Sequence, residues 1–353
     1  MKILAINPGS TSTKIAVYED EQPLLTHTIR HSVEELAPFP TITSQYEFRK
    51  KLVVDALTEH HIPFLFDAII GRGGLVKPIP GGVYNISDAL KHDLIHATRT
   101  HASNLGGLIA SELAEMLPGC KAFIADPVVV DELDDVARIT GSPLLPRRSI
   151  FHALNHKAIG RRYAREHALK YEELNLVICH LGGGISIATH RQGKVVDVNN
   201  ALDGEGPFSP ERAGTLPAGE LINLCFSGWF TKEELLKQVT GHGGLAAHLG
   251  STDVPHIIET IEQGDKNAEL VIDAMIYTIA KAVGSAAVVL HGKVDAILIT
   301  GGIAYNDYVV SRLKEYISFL APVHVYPGED ELEALATNAL GVLRGELVAK
   351  DYK

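Results

Sequence analysis

The feature that most constrains the fold of this chain is a pattern of strands and glycine turns that occurs twice. Near the N-terminus, two apolar strand-like segments, 2–6 and 14–18, flank a polar turn that contains glycine. The segments 176–179 and 185–189 flank the glycine turn 182–184 in the same way. Each pattern is typical of a β-hairpin with a polar tip. We therefore expect two domains that each begin with a hairpin.

A second pair of related segments follows these hairpins. The stretches 67–74 and 295–302 each indicate an apolar strand that ends in a pair of glycines. Apolar residues at helical spacing predict helices in four other segments: 104–117, 152–167, 268–290 and 332–348. Strands that alternate with helices are typical of the α/β class. The order of the segments predicts two similarly built α/β domains that arose by duplication.

Length and turn residues predict where these domains meet. A chain of 353 residues is long enough for about two domains. The segment 141–146 contains two prolines, which interrupt regular structure, so it is the candidate linker and hinge. We expect an N-terminal domain over 1–145, completed by the C-terminal helix 332–353, and a second domain over 146–331.

Charge and cysteine content exclude several classes of function. The net charge is −11 and no long stretch rich in Lys and Arg occurs, so we expect no nucleic-acid partner. The three cysteines form no CxxC pair, which is typical of a reducing, cytoplasmic environment. The first residues do not resemble a signal peptide, and the apolar run 282–290 is shorter than the ~18 residues that span a bilayer. We therefore expect no membrane partner.

The first hairpin turn has the composition of a phosphate site. Asn7 and Gly9 precede four consecutive hydroxyl residues, among them Ser10 and Ser12, and Lys14 follows. Glycine allows close backbone approach, and hydroxyls, amides and a lysine can surround phosphate oxygens. The alternative is a polar turn without a ligand. Four hydroxyls and a lysine are more than a turn requires, so we favour phosphate binding.

The second hairpin turn contains three successive glycines, Gly182, Gly183 and Gly184. Such a run costs backbone entropy, so it needs a reason. Close approach of a phosphate is one reason, and a strained turn without a ligand is the alternative. The chain contains neither GxxxxGK[ST] nor GxGxxG, which excludes the usual P-loop and dinucleotide fingerprints. Two phosphate hairpins, one per domain, are more typical of an actin-like kinase.

Several charged residues accompany these turns. Arg72 lies between two glycines, and Arg212 lies in the glycine- and proline-rich segment 203–219. Guanidinium groups bind carboxylates and phosphoryl oxygens in a bidentate manner, although a surface salt bridge is the alternative for each. Asp126 follows the apolar strand 122–125, and a carboxylate at the end of a strand can bind Mg²⁺ or substrate. The alternative is that Asp126 caps a turn or helix. His180 adjoins the glycine triplet and is a further candidate.

These motifs occur in the order found in the acetate kinase (acetokinase) family. The chain resembles that family over nearly its whole length, and most of all its butyrate kinase branch, which includes branched-chain carboxylate kinases. The segments that carry the resemblance are Asn7–Lys14, Arg72, Asp126, Phe151–His152, His180–Ser186, Arg212 and Thr300–Ile303. The resemblance implies an actin/hexokinase/Hsp70-like, ribonuclease H-like fold of two duplicated domains with a cleft between them. It also implies reversible phosphoryl transfer from ATP to a short-chain carboxylate, with Mg²⁺.

The resemblance also implies roles for individual residues. Asn7 helps to hold the metal and phosphate, and a late glutamate, either Glu329 or Glu331, is a metal residue; we select Glu331. Arg72 and Arg212 bind the carboxylate and the transferred phosphoryl group, Asp126 is the catalytic acidic residue, and His152 and His180 stabilise the transition state. The expected nucleotide and phosphate contacts are Ser10, Ser12, Lys14, Gly182, Gly183, Gly184, Gly301, Gly302, Ile303 and Asn306.

The choice of carboxylate is predicted from the residues beside Arg72. Acetate kinases carry bulky residues there, whereas Gly73 and Gly74 follow Arg72 at once in this chain. We hypothesise that the missing side chains enlarge an acyl pocket that includes Gly74 and Phe151, which favours butyrate. Isobutyrate or another branched acid, acetate and propionate are the alternatives, and a sugar kinase or acyl-phosphate phosphatase of the same fold is a more distant one. The resemblance also implies a homo-oligomer.

Overall fold

A computed structural model describes residues 1–97 and 101–353 of the chain. The described chain divides into two compact units. The first unit contains Met1–Val130 together with Asp330–Lys353, and the second contains Asp131–Glu329. The last segment of the chain thus belongs to the same unit as the first.

The strands alternate with helices along both units. In chain order, the strands are β1 (Lys2–Pro8), β2 (Ser12–Glu19), β3 (Gln22–Arg30), β4 (Ala68–Arg72), β5 (Val83–Asn85), β6 (Lys121–Ala125), β7 (Asn175–Leu181), β8 (Ile185–Arg191), β9 (Lys194–Val198), β10 (Ala296–Gly301) and β11 (Val323–Pro327). The α-helices are α1 (Val33–Leu36), α2 (Tyr46–Glu59), α3 (Asp88–Ile95), α4 (Asn104–Glu115), α5 (Asp135–Arg138), α6 (Ala153–Glu166), α7 (Ala218–Cys225), α8 (Lys232–Val239), α9 (Gly244–Leu249), α10 (Val254–Glu262), α11 (Lys266–Val289), α12 (Asp307–Ile317) and α13 (Glu331–Leu343).

The sheet of the first unit has the strand order β3-β2-β1-β4-β6-β5. Strands β1 and β2 form the predicted hairpin, with Asn7 paired to Lys14. Strand β4 lies parallel to β1, and β6 lies parallel to β4, so the carboxyl ends of these three strands meet at one edge of the sheet. In open α/β sheets this edge is where ligands bind.

The sheet of the second unit repeats this arrangement in the order β11-β10-β7-β8-β9. Strands β7 and β8 form the second predicted hairpin, and β10 and β11 continue the sheet in parallel to β7. The succession β7-β8-β9-β10-β11 therefore corresponds to β1-β2-β3-β4-β6. This correspondence confirms the predicted α/β class and the duplicated architecture.

The four predicted helices are present as α4, α6, α11 and α13. Their observed ends differ from the predicted ones by a few residues, because apolar spacing does not mark the first and last turns of a helix. Helix α11 is long and apolar enough, by length and composition alone, to cross a membrane. Its buried residues, including Ile272, Met275, Ile279 and Val283, pack in the core of the second unit against β7 and β8. Core helices of globular proteins pass the same test of length and composition.

Apolar side chains pack on both faces of the second unit's sheet, in one cluster with Val177 and Ile299 and in another with Ile178 and Leu298. In the first unit, residues of β1, β2 and β4 pack against α2 and α4. Helix α4 approaches the sheet closely at Gly71, where a Cβ atom would lie 2.1 Å from the carbonyl oxygen of Gly106. This contact needs glycine at position 71, one residue before Arg72. Close packing of α4 thus holds the carboxyl end of β4, where the candidate site residues begin.

Candidate active site

The first unit brings together three predicted site residues that are far apart in the chain. The Arg72 guanidinium at the end of β4 makes a two-point contact with Glu331, with Nη2 3.0 Å from Oε1 and Nη1 3.1 Å from Oε2. Asn7 at the end of β1 donates from Nδ2 to Glu331 Oε2 over 2.5 Å, and Arg72 Nη1 donates to Asn7 Oδ1 over 3.4 Å. The geometry is that of a bidentate arginine–carboxylate pair. Glu331 therefore lies with Asn7 and Arg72.

Asp126 lies at the same edge of this sheet. It follows Ala125, the residue that pairs with Arg72 between β6 and β4. The side chain is buried, and its Oδ1 accepts a 2.6 Å hydrogen bond from the backbone N–H of Gly82. Its φ of +37° is in the left-handed region, which aspartate tolerates better than most residues. The polypeptide thus changes direction at Asp126, directly after β6.

The hairpin turn between β1 and β2 presents its polar side chains to the surface. The side chains of Ser10 and Lys14 are exposed, and Ser12 is partly exposed. Thr13 alternates with Ser12 and Lys14 along β2 and is buried on the opposite face. The three predicted phosphate contacts are therefore accessible on the surface of the first unit.

The space beside Arg72 is filled by the protein itself. A Cβ atom on Gly73 would lie 2.6 Å from Cβ of Pro127, and one on Gly74 would lie 2.6 Å from Cα of Asn104. The hypothesis that missing side chains at these positions enlarge an acyl pocket is wrong, because α4 and the turn after β6 occupy that space. A contact between substrate and the backbone of Gly74 stays a prediction.

In the second unit, His180 is buried at the end of β7 between two oxygen acceptors. Its Nδ1 lies 2.8 Å from Oδ1 of Asn155, which orients the ring. Its Nε2 lies 2.9 Å from Oε1 of Glu329, within ion-pair distance but without the angle of a hydrogen bond. The two glutamates that the sequence could not distinguish therefore lie in different surroundings, Glu329 beside His180 and Glu331 beside Arg72.

His152 stacks on His180 and begins a chain of buried polar groups. Ser186 Oγ lies 2.9 Å from His152 Nδ1 and 2.8 Å from His156 Nε2. His156 Nδ1 lies 3.4 Å from His190 Nε2, and the Tyr171 hydroxyl lies 2.7 Å from His190 Nδ1. Burial lowers the pKa of both His156 and His190 well below the usual value, so both rings are neutral. This series of hydrogen-bonded side chains fixes the orientation of the His152 ring.

Phe151, the predicted acyl contact next to His152, is buried. Its ring packs edge-on against His156, with centroids 5.3 Å apart. The Phe151 ring therefore supports the hydrogen-bonded histidines. A contact between Phe151 and a substrate stays a prediction.

The glycine triplet of the second hairpin makes room for charged side chains. A Cβ atom on Gly184 would lie 1.8 Å from Nη1 of Arg212, and one on Gly182 would lie 3.1 Å from both His180 Nε2 and Glu329 Oε1. Arg212 Nη1 also donates to the carbonyl oxygen of Ala201 over 2.6 Å. Burial lowers the pKa of Arg212, although its guanidinium keeps its charge at neutral pH. Arg212 therefore lies directly against the β7–β8 turn.

A cavity of about 550 Å³ opens beside this turn. Gly302, Ile303 and Asn306 line it after β10, together with Gly182 and Gly183. Small-molecule sites usually have volumes of ~300–1,000 Å³. Five of the seven predicted nucleotide contacts of this unit therefore line one cavity, and Gly184 and Gly301 are not among its lining residues. Gly301, at φ +91°, lies behind them, and a Cβ atom there would be 2.3 Å from the carbonyl oxygen of Leu181.

The structure adds residues that the sequence did not indicate. Tyr305 and Asp253 also line the cavity. Tyr305 is largely exposed, and an exposed aromatic residue after a glycine pair is a signal that could have been noticed. Arg49 is buried beneath the first hairpin turn. Nothing in the local sequence of α2 distinguishes it from a surface arginine.

Comparison with known proteins identifies relatives of the whole chain. A model described as the acetokinase family matches residues 139–326. A protein named probable butyrate kinase from Bacteroides thetaiotaomicron is 70% identical over 353 residues, with 100% of both chains covered. Butyrate kinase 2 from Clostridium acetobutylicum is 51% identical and covers 100% of this chain and 99% of its own.

Solved structures give the same result for the fold. Porphyromonas gingivalis acetate kinase superimposes with a TM-score of 0.80 at 19% identity, covering 97% of this chain and 99% of its own. A ROK family protein from Streptococcus pneumoniae superimposes with a TM-score of 0.52 at 13% identity, covering 98% and 100%. At these identities the likeness concerns the fold alone, and it confirms the predicted fold class.

Proposed function

This chain belongs to the acetokinase family, and from that membership we propose that it is a butyrate kinase, which transfers the γ-phosphoryl group of ATP to butyrate. The products are butyryl phosphate and ADP, and the reaction is reversible. The observation that carries this proposal is the 70% and 51% identity, over the full chain, to proteins named butyrate kinases.

The reaction needs charge stabilisation more than proton transfer. A carboxylate oxygen attacks the γ-phosphorus, the bond to the β–γ bridging oxygen breaks, and ADP leaves with the electron pair. A carboxylic acid with a pKa of ~4–5 is already ionised at pH 7, so no base has to remove a proton. Arg72 and Arg212 bind the carboxylate and the transferred phosphoryl group, and they offset the charge that develops on its oxygens.

The buried histidines hold donors in fixed positions. His152 and His180 stabilise the phosphoryl oxygens in the transition state, and their surroundings prevent reorientation. A preorganised donor costs no rearrangement when the reaction occurs, which is the source of its catalytic effect. Asp126 orients the reactants and would help to hold the metal when it is bound, because the carboxylate substrate needs no general base. A sugar kinase, in contrast, requires a base to deprotonate a hydroxyl group.

The residues of the first unit fit Mg²⁺ that arrives with a nucleotide. Mg²⁺ prefers oxygen ligands and is usually held by one or two carboxylates together with substrate phosphates and water. Glu331 and Asp126 supply carboxylates, and Asn7 supplies an amide oxygen, at one edge of the sheet. When bound, the metal neutralises negative charge on the phosphates. ATP and ADP occupy the cavity lined by Gly302, Ile303 and Asn306, and Ser10, Ser12 and Lys14 contact phosphate oxygens.

Three further statements remain predictions from the sequence. The first is a preference for butyrate over isobutyrate, acetate or propionate. The glycines beside Arg72 do not explain this preference, because the space beside them is filled. The second is a homo-oligomeric state, which light scattering coupled to size-exclusion chromatography would measure. The third is a cytoplasmic location.

The proposed chemistry is tested by comparing Asp126→Asn with Arg212→Lys. Formation of acyl phosphate from ATP and butyrate is followed by ³¹P nuclear magnetic resonance. We expect Arg212→Lys to lose most activity at every pH, because lysine cannot make a bidentate contact. We expect Asp126→Asn to be slower, with a pH–rate profile of unchanged shape. An acid limb that disappears only in Asp126→Asn would indicate a general base and favour a sugar kinase.

A further inference from the structure

Arg49 lies beneath the first hairpin turn with no exposed surface. It projects from α2, and its guanidinium donates five hydrogen bonds. Nη1 donates to the carbonyl oxygens of Gly9 and Ser12 over 2.8 and 3.1 Å and to Thr13 Oγ1 over 3.1 Å. Nη2 donates to the carbonyl oxygen of Ser10 over 3.0 Å, and Nε donates to Gln45 Oε1 over 3.0 Å.

No carboxylate is among these acceptors. All five are neutral carbonyl, amide or hydroxyl oxygens, so within residues 1–97 and 101–353 Arg49 is a buried charge without an ion-pair partner. Burial of this charge lowers the pKa of Arg49 to about 10, which leaves it ionised at neutral pH. A buried charge costs several kcal/mol unless it is paired. The positive charge beneath this turn is therefore not compensated by a negatively charged group of the described residues.

The hydrogen bonds also determine which way the turn faces. Arg49 binds the carbonyl oxygens of Gly9, Ser10 and Ser12, and the backbone N–H of His31 binds that of Thr11 over 2.9 Å. All four carbonyls of the turn are thereby held by the protein. The side chains of Ser10 and Thr11 are exposed. The turn therefore keeps its acceptors inside and presents its hydroxyl donors outside.

We propose that Arg49 is a positioning residue for phosphate at the β1–β2 turn, whose buried charge attracts the anionic phosphate chain of the nucleotide through that turn. This inference rests on the proposed function, which has the nucleotide phosphates contact Ser10, Ser12 and Lys14. It adds a residue that does not itself contact the substrate. An anion on the outer side of the turn supplies the counter-charge that Arg49 lacks inside the protein.

A variant at Gln45 separates this charge from the architecture of the turn. Gln45→Glu is nearly isosteric and keeps an acceptor for Arg49 Nε, so all five hydrogen bonds can remain. It also places a carboxylate beside the guanidinium and cancels the unpaired charge. Gln45→Met is the matched control, because it alters the same buried position without adding charge. Arg49→Gln removes the charge directly and is the second variant.

The measurement is the affinity for MgATP and for adenosine, by isothermal titration calorimetry, in the wild type and these three variants. Urea denaturation establishes that each variant is folded. For Gln45→Glu and Arg49→Gln we expect the affinity for MgATP to fall at least about tenfold, or 1.4 kcal/mol. The affinity for adenosine, which carries no phosphate, should be unchanged. Gln45→Met should keep the wild-type ratio of the two affinities.

An unchanged ratio of MgATP to adenosine affinity in either folded charge variant would overturn the inference. Equal losses for both ligands would overturn it as well, because they would indicate general damage to the protein. The wild type is also assayed for acyl phosphate formation with butyrate. If the wild type forms no acyl phosphate while the charge variants lose MgATP affinity selectively, the proposed function is refuted. The role of Arg49 would then remain intact.

Discussion

The imidazole ring of His152 is stacked on that of His180, with ring centroids 3.7 Å apart and an interplanar angle of 10°. Neither ring can turn without displacing the other. Asn155 fixes His180 through Nδ1, and Ser186 fixes His152 through Nδ1. The two histidines that the family resemblance assigns to the transition state therefore form one rigid unit, oriented from behind by buried polar groups.

Removal of the Ser186 hydroxyl should slow the reaction without weakening substrate binding. Ser186→Ala deletes the hydroxyl oxygen that contacts both His152 Nδ1 and His156 Nε2, so His152 loses this orienting contact. One lost hydrogen bond corresponds to about a three- to tenfold lower kcat, with KM for ATP and butyrate unchanged. Thr189→Val is the control, since Thr189 is buried on the same strand and its hydroxyl donates to the carbonyl oxygen of Ala286, away from the histidines. Equal kcat in Ser186→Ala and the wild type would contradict this role.

A methyl group at position 184 should displace Arg212. The Cβ atom of Gly184→Ala would lie 1.8 Å from Arg212 Nη1, so the guanidinium must leave its place against the turn. We expect kcat to fall by about as much as in Arg212→Lys. Gly183→Ala is the steric control and is compared at saturating MgATP because Gly183 lines the nucleotide cavity; its Cβ would lie 3.5 Å from Glu211, an ordinary contact. Steady-state kinetics of the three variants checks this, and similar activity in the two alanine variants would contradict it.

Substitution of Gly74 should affect stability more than substrate choice. A Cβ atom there would lie 2.6 Å from Cα of Asn104, so Gly74→Ala must push α4 away from β4. Overpacking of this kind costs about 1–3 kcal/mol. Gly302→Ala, where no atom lies within 4 Å of the added Cβ, should leave the free energy of unfolding unchanged. A changed ratio of butyrate to acetate turnover in Gly74→Ala at wild-type stability would restore the pocket hypothesis.

Buried neutral histidines should make the protein less stable in mild acid. Burial, with a smaller effect of Arg49, lowers the pKa of His31 from 6.5 to about 4. The unfolded chain therefore binds a proton between pH ~6.5 and ~4 that the folded chain does not, and stability falls as pH falls through this window. The slope is about 1.4 kcal/mol for each pH unit and titrating group.

The midpoint of urea unfolding at pH 7.5, 6 and 5 checks this prediction. His31→Gln should reduce the pH dependence, because glutamine does not titrate, and part should remain from His156 and His190. If the variant and the wild type lose stability equally as pH falls, His31 is not one of the groups responsible.

The sequence was sufficient for features that depend on local patterns. The hairpins around Gly9 and Gly183, the strand before Gly301 and the four helices follow from alternation, helical spacing and turn residues, which act over a few positions. The family motifs identified Asn7, Arg72 and a late glutamate as site residues. The structure then brought Asn7, Arg72 and Glu331 together, and placed Glu329 with His180.

Features that depend on distant contacts could not be predicted in this way. Gly73 and Gly74 indicated open space, yet Pro127 and Asn104 fill it. Arg49 occurs in the sequence FRKKL, where nothing separates it from Lys50 and Lys51 beside it. Its burial follows from the hairpin turn folding over α2, about 40 residues away in the chain. Such partners become visible only once the chain is folded.

The most direct test of the proposed activity is trapping of the acyl phosphate with hydroxylamine, using MgATP and a series of carboxylates. The series contains acetate, propionate, butyrate, isobutyrate and valerate, and the readout is kcat/KM for hydroxamate formation. We predict a maximum at butyrate. A maximum at acetate would contradict the butyrate assignment and leave the carboxylate kinase mechanism in place. The absence of hydroxamate with every acid would contradict the assignment as a carboxylate kinase.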